Sequence, residues 1–342
     1  MIIYKNKQAA KSVMNYLGKQ GVPFLFLIDF EMEKIIICID FDREPSLKFD
    51  INGKTNFNQE HVLNKELYFD SFPISKTEYA VGFEKVMNEI QLGNSFLLNL
   101  TYATRVMSNL SLDDIFHLTS AKYRIHLKDE FVCFSPEIFV KIKDGRISSN
   151  PMKGTIDAMI DNAEAKILAD EKEIAEHYTI VDLIRNDLSR VAKDVQVDKF
   201  RYIDHVQTND KNLLQVSSRI SGQLPNDYTD HIGDIMFRLL PAGSISGAPK
   251  KKTLEVIRAV ENQNRGYYTG ICGIFDGVDL DSGVMIRFVE NHREDLFYRS
   301  GCGITSMSDM ATEYQEMIDK VYLPIIDSTP TDSKSKPTSI HG

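Results

Sequence analysis

Three things are scarce in this sequence: excess positive charge, cysteine and long apolar runs. Lys plus Arg number 40 against 49 Asp plus Glu, a net charge of −9 with neutral His. A nucleic-acid partner needs a basic stripe for its phosphates, so that class is disfavoured, whereas a small anionic substrate is not, because a few local cations can line a pocket. The cysteines are four, Cys38, Cys133, Cys272 and Cys302, with no CxxC pair and no metal-ligand spacing, which suits buried reduced thiols in a cytoplasmic protein. No stretch approaches the ~18 apolar residues of a membrane span, and "MIIYKNKQAAKSVMNY" lacks the apolar centre of a signal peptide. No internal repeat is present.

A P-loop is missing too. In "PAGSISGAPKKKT", Gly243 and Gly247 are four apart and Ala248 follows, so GxxxxGK[ST] is not met and nucleotide binding is disfavoured. The glycines leave two readings open, an ordinary tight turn or a set of backbone N–H groups offered to a small anion.

What is present reads as a soluble globular chain, 42% hydrophobic and 26% charged, long enough at 342 residues for one large domain or two modest ones. "VPFLFLID" and "KIIICIDF" predict strands. Ser75 with Glu78 predicts a helix start, and Tyr79, Phe83, Val86 and Ile90 carry its buried face to Gly93. Alternation in "FLLNLTYAT" predicts a half-buried strand, and Asp144-Gly145 predicts a hairpin turn just ahead of Lys153. Residues 163–193 read as one long helix, 228–240 as another, Pro249 as the first turn of a third, and 308–326 as a closing amphipathic helix. Strand pairs separated by long helices indicate an α+β fold, large antiparallel sheets with helices packed outside. The expected organisation is a strand-rich segment at 1–74, a catalytic domain at 75–326 and a Ser/Thr/Pro-rich disordered tail at 327–342.

Several residues could carry chemistry. Glu173 and Glu176 lie three apart on one helix, and Glu313 and Glu316 repeat that spacing on another, with Lys320 one turn on. Two such carboxylate pairs could meet around a hard cation such as Mg²⁺; Glu316 and Lys320 could equally be a surface pair. Arg287 stands within "VMIRFVE", which reads as one apolar strand, and a cation there either reaches a sheet edge or is held by an anion. Gly301 and Gly303 allow close backbone approach to a ligand. Lys153, in "NPMKGTI", is either a solvated charge at a turn or an amine aimed at a substrate.

The blocks "SPEIF", "NPMKGTI", "AEHYTIVDLIRNDLSRV", "PAGSISGAPK", "RGYYTGICG" and "GCGITSMSDMATEYQEMIDK" resemble the chorismate-utilising enzymes over residues 75–326. That family includes component I of anthranilate synthase and of aminodeoxychorismate synthase, isochorismate synthase and salicylate synthase. The resemblance implies that Mg²⁺ bridges Glu173, Glu176, Glu313 and Glu316 to the ring carboxylate of chorismate. It implies that Arg287, Lys320, Tyr268 and the backbone at Gly301 and Gly303 hold the enolpyruvyl carboxylate. Gly154, Thr155, Ser246 and Gly247 would line the ring-carboxylate side, and Glu137 would protonate the departing C4 hydroxyl.

Within the family a lysine at the position of Lys153 marks aminodeoxychorismate synthase. Its neutral amine would add to C2, so a pKa lowered by burial or by nearby positive charge is expected. Leu97 stands where isochorismate and salicylate synthases carry a water-activating lysine, which disfavours isochorismate formation. Gln215 replaces a frequent histidine and Ser246 a threonine. Nothing before residue 75 resembles a tryptophan-binding motif, and no amidotransferase-like half is evident. The expected partners are therefore chorismate and ammonia, free or from a separate glutamine amidotransferase subunit. The rivals are anthranilate synthase component I and a non-catalytic chorismate-fold binding protein.

Overall fold

The run Phe24–Ile28 shows how the sheets are built. All five residues are buried, yet they alternate: Phe24, Phe26 and Ile28 enter one core, while Leu25 and Leu27 enter another. A strand sends successive side chains to opposite faces, so a continuous apolar run marks a strand covered on both sides. The computed structural model describes residues 1–58, 67–207, 212–293 and 295–325, and the expected disordered tail lies outside the described residues.

Among these residues the strands form two sheets, of ten and nine strands, with antiparallel pairing throughout. The sheets share a core built almost wholly from strand residues, including Leu25, Leu27, Phe49, Tyr123, Cys133, Cys272 and Phe288. A larger core lies between the strands and the helices Lys7–Lys19, Lys76–Gln91, Glu171–Leu188, Ile232–Leu239, Lys250–Val260 and Met310–Asp319. This is the expected α+β architecture. The first residues add strands to both sheets: Phe24–Ile28 pairs with Ile271–Phe275, and Leu47–Ile51 pairs with Tyr123–Leu127.

The helix Lys76–Gln91 begins where expected, the Ser75 hydroxyl accepting from the Glu78 N–H, and buries Tyr79, Phe83, Val86 and Ile90. The hairpin closes at Asp144-Gly145, both at positive φ, 51° and 73°, as a type I′ turn requires.

Three expectations need correction. Residues 163–193 form two helices, Ala163–Ala169 and Glu171–Leu188, because Asp170 leaves the helical conformation and its carboxylate caps the second helix at the Glu173 N–H, 2.9 Å away. The closing helix is shorter, Met310–Asp319. "VMIRFVE" is not one strand either. Leu280–Val284 belongs to the ten-stranded sheet and Phe288–His292 to the nine-stranded one, and Arg287, at φ 55°, lies in the link where the chain changes sheets.

Candidate active site

A cavity of about 540 Å³, within the range of small-molecule sites, opens where that link leaves a strand edge uncovered. Phe288–His292 pairs with Asp295–Thr305 only as far as Arg299. Beyond it Ser300, Gly301 and Gly303 line the cavity. The Gly301 carbonyl accepts from Lys320 Nζ at 2.9 Å on this edge. Because a strand residue directs its N–H and C=O to the same edge, the Gly301 and Gly303 N–H groups face the cavity as well. Lys320 caps the C-terminus of Met310–Asp319, and its Nζ also meets Glu316 at 2.7 Å. Arg287 completes this basic corner, with Nη1 donating to the Lys320 carbonyl at 2.9 Å and its guanidinium 4.7 Å from the Tyr322 ring centre.

On the opposite wall the strand Met152–Asp157 pairs with Asn212–Gln223, and the register slips between Met152 and Thr155. Lys153 and Gly154 fall inside this irregularity, with Gly154 at φ 78°. Such a local break re-aims a side chain, and here it sends Lys153 into the cavity rather than to a solvated turn. Lys153 Nζ lies 2.8 Å from Glu176 Oε2. A Cβ placed on Gly154 would sit 3.3 Å from Glu173 Oε2, and one on Gly303 would sit 3.3 Å from Lys153 Nζ. Thr155 accepts from the Gln215 amide at 3.3 Å.

The electrostatics differ from expectation at Lys153. Burial pushes its pKa down, but the carboxylates of Glu176, Glu173 and Glu316 outweigh burial and the net direction is upward. Three carboxylates from two helices thus act on one ammonium, an excess of negative charge on hard oxygen donors. That donor set fits Mg²⁺, which takes one or two carboxylates and keeps waters for a substrate's oxygens. At Glu137 burial dominates and raises the pKa, while the hydrogen bond from the Ser244 hydroxyl and the charges of Lys153 and Lys320 oppose it.

Of the residues singled out in the sequence, Glu137, Lys153, Gly154, Thr155, Glu173, Glu176, Tyr268, Arg287, Gly301, Gly303, Glu316 and Lys320 line one cavity. Ser246, Gly247 and Glu313 stand apart. Ser246 is fully buried and donates back to the Ala242 carbonyl at 2.8 Å, because Gly243–Ser246 is a helical turn; Ser244 is the serine that reaches the cavity. Gly247 pairs with Leu98, and a Cβ there would fall 1.9 Å from the Leu97 carbonyl oxygen. Glu313 is 1% exposed behind the Asp295–Thr305 strand, its carbonyl accepting from the Cys302 thiol. Sequence reasoning missed Asn99, Ser244, Arg299 and Ser300 as lining residues. Arg299 pairs with Glu290 at 3.0 Å, and only the strand register brings it here.

Residues 41–325 match the family described as chorismate binding enzyme. A Haemophilus influenzae protein named "Uncharacterized PabA-like protein" is 53% identical over 312 residues, 91% of this chain and 95% of that one. Aminodeoxychorismate synthase component 1 of Bacillus subtilis is 31% identical over 265 residues, 73% of this chain and 55% of that one. Anthranilate synthase component 1 of Aquifex aeolicus is 31% identical over 296 residues, 81% and 58%. The chain therefore spans little more than half the length of these last two. Among solved structures, MenF, the menaquinone-specific isochorismate synthase of Escherichia coli, superposes with a TM-score of 0.71 at 16% identity, covering 94% of this chain and 82% of that one, which shows a shared fold. Anthranilate synthase component I of Streptococcus pneumoniae gives 0.61 at 26% identity, covering 75% and 59%. With its antiparallel sheets and a cavity lined by the residues above, the chain belongs to the chorismate binding enzyme family.

Proposed function

We propose that this protein is an aminodeoxychorismate synthase component I, turning chorismate and ammonia into 4-amino-4-deoxychorismate for p-aminobenzoate and folate synthesis. The observation that carries the reading is the Lys153 amine, held inside the cavity 2.8 Å from Glu176 and facing the glycine edge at Gly303. The B. subtilis relative of that name supports it.

Arg287, Lys320 and the Gly301 and Gly303 N–H groups bind the enolpyruvyl carboxylate. This fixes the ring between the basic corner and Lys153. Bound among Glu173, Glu176 and Glu316, Mg²⁺ would supply positive charge at the ring carboxylate and relieve the carboxylates' hold on the Lys153 proton. The neutral amine forms a bond to C2, both double bonds of the ring diene shift by one position toward C4, and the C4–O bond breaks with the proton of Glu137 passing to the departing oxygen as water, while the nitrogen, now bonded to C2, gives up a proton to the neighbouring carboxylates. Burial suits Glu137 to this role, since it keeps the carboxyl protonated to higher pH. Ammonia, free or delivered by a separate amidotransferase subunit, then adds at C4 and expels the lysine from C2.

Intact-protein mass spectrometry with chorismate, Mg²⁺ and no ammonia tests this scheme. The expected adduct is the protein plus chorismate minus water, absent in Lys153→Ala. A wild-type protein that turns chorismate over with ammonia yet never carries that adduct contradicts the covalent route.

A second reading, anthranilate synthase component I, has an observation in its favour. The Lys153–Glu176 ion pair holds the amine charged, which suits direct attack of ammonia at C2 rather than attack by lysine. The A. aeolicus relative shares the same identity. Anthranilate is fluorescent and forms with release of pyruvate, whereas aminodeoxychorismate needs an added lyase before an aromatic product forms.

A further inference from the structure

Behind Glu137 the protein holds a second cavity, of about 30 Å³, which takes no part in the chemistry above. It lies between the strand Ile138–Lys143, the helix Glu171–Leu188 and the turn Gly243–Ser246. Glu137 and Ser244, joined by a hydrogen bond, line both this cavity and the substrate cavity, so they form the partition between the two. A water needs about 10–15 Å³ of such space. The cavity therefore admits one or two molecules of that size and excludes anything as large as chorismate.

The lining narrows the choice of occupant. Phe139, Val140, Ile184, Leu188, Leu239 and Ala242 supply buried apolar walls. Ser149 adds a buried hydroxyl that donates to the Phe139 carbonyl at 2.9 Å and keeps lone pairs to accept with. Asp187 stands at the far end, its carboxylate paired with Lys250, whose Nζ also donates to the Leu239 carbonyl at 2.9 Å. Arg190 Nη1 lies 3.8 Å from the same carboxylate. The acid is thus matched by cations. With Glu137 protonated, the cavity offers hydrogen bonds but no net negative charge, so an ion would enter at the full cost of losing its water. A small neutral molecule such as ammonia fits, and ammonium does not.

The reaction needs such a place. Once the C4–O bond breaks, the departing water stands between Glu137 and C4, in the position ammonia must take, while the bound ring fills the substrate cavity. We propose that the cavity behind Glu137 is an exchange site at C4, which holds one neutral ammonia molecule, takes up the departing water, and is closed at its outer end by Asp187 and Lys250. This rests on the reading that ammonia adds at C4. In that step the ammonia lone pair forms the N–C4 bond, both ring double bonds shift back toward C2, and the C2–N bond to Lys153 breaks with its electron pair. One proton leaves the new C4 amine for the Glu137 carboxylate, which restores the acid, and one returns from the neighbouring carboxylates to Lys153.

Ala242→Val and Val140→Ile each enlarge a lining residue and leave Glu137, Ser244 and Lys153 unaltered. Two positions guard against overpacking, and circular dichroism with a thermal melt checks each fold. Initial rates are measured in the full chain with ammonium varied at saturating chorismate, and adduct formation by mass spectrometry with chorismate and no ammonia. A methylene's worth of filling is expected to raise KM for ammonia at least ~10-fold, with KM for chorismate and the rate of Lys153 adduct formation within ~2-fold of wild type. Unchanged KM for ammonia in the folded variants, or adduct formation slowed as much as the ammonia step, overturns the site. A wild-type protein that makes anthranilate overturns instead the reading on which the site rests, and the identity of the product tells the two failures apart.

Discussion

Gly303→Ala is the substitution in which structure fixes the size of the effect most directly. The new methyl would lie 3.2 Å from Leu97 Cδ1, 3.3 Å from Lys153 Nζ and 3.6 Å from Glu176 Oε2. Ordinary contacts between such atoms lie near 3.5–4.0 Å, so the first two neighbours must each yield a few tenths of an ångström. Both are side-chain ends that rotate, and the cost to folding stays near or below ~1 kcal/mol. The lysine cannot yield without leaving its 2.8 Å contact with Glu176 or its approach to the ring. A displacement of 1 Å at a reacting group can cost 10²-fold in rate. Half of that predicts a fall in kcat/KM of roughly 10-fold, or about 1.4 kcal/mol. Steady-state aminodeoxychorismate formation, coupled to an added lyase, reads the rate, and a thermal melt reads stability. Gly301→Ala is the contrast, since its methyl would fall 2.5 Å from the backbone oxygen of Leu100 and should cost the fold itself. An unchanged kcat/KM in Gly303→Ala would show that the amine beside this glycine is not at the reacting centre.

Lys153→Ala should lower 4-amino-4-deoxychorismate formation by about 10³-fold or more, about 4 kcal/mol, or divert ammonia to C2; unchanged product and rate would remove the lysine from the mechanism. Glu176→Gln and Glu316→Gln should raise the Mg²⁺ concentration needed for half-maximal turnover, and indifference to both would refute the carboxylate assignment. Ser244→Ala removes a hydrogen bond that lowers the Glu137 pKa. Such a bond to a charged group is worth about 1.5 kcal/mol, or about one pH unit. The general acid must be protonated, so activity is lost as pH rises through its folded pKa, and the alkaline limb of kcat/KM in Ser244→Ala should move upward. A downward shift would contradict the role of Glu137. The same sign applies to stability: a carboxyl with a raised folded pKa favours the fold at low pH, and this contribution fades as pH rises through that pKa.

Much of this was legible in the chain because the physics is local. A short continuous apolar run marked Phe24–Ile28, the Ser75 cap marked a helix, and Asp144-Gly145 marked a hairpin. The Asp170 break was hidden because the apolar spacing continues across it. The sheet change at Arg287 was hidden because "VMIRFVE" reads as a single strand whichever sheet each half joins. Lys153 was ambiguous on residues alone, and the register slip that aims it into the cavity depends on pairing with a strand some sixty residues away, Thr155 opposite Gln215. Glu313 and Glu316 share a helix face by spacing. The strand packed behind that helix nevertheless buries the first and leaves the second at the cavity, a difference no helical period encodes.

The most direct measurement is to incubate the purified protein with chorismate, Mg²⁺ and ammonium, and to separate and identify the products with and without an added aminodeoxychorismate lyase. The expected result is 4-amino-4-deoxychorismate, converted to p-aminobenzoate only when the lyase is present. Anthranilate with equimolar pyruvate and no lyase requirement would contradict it.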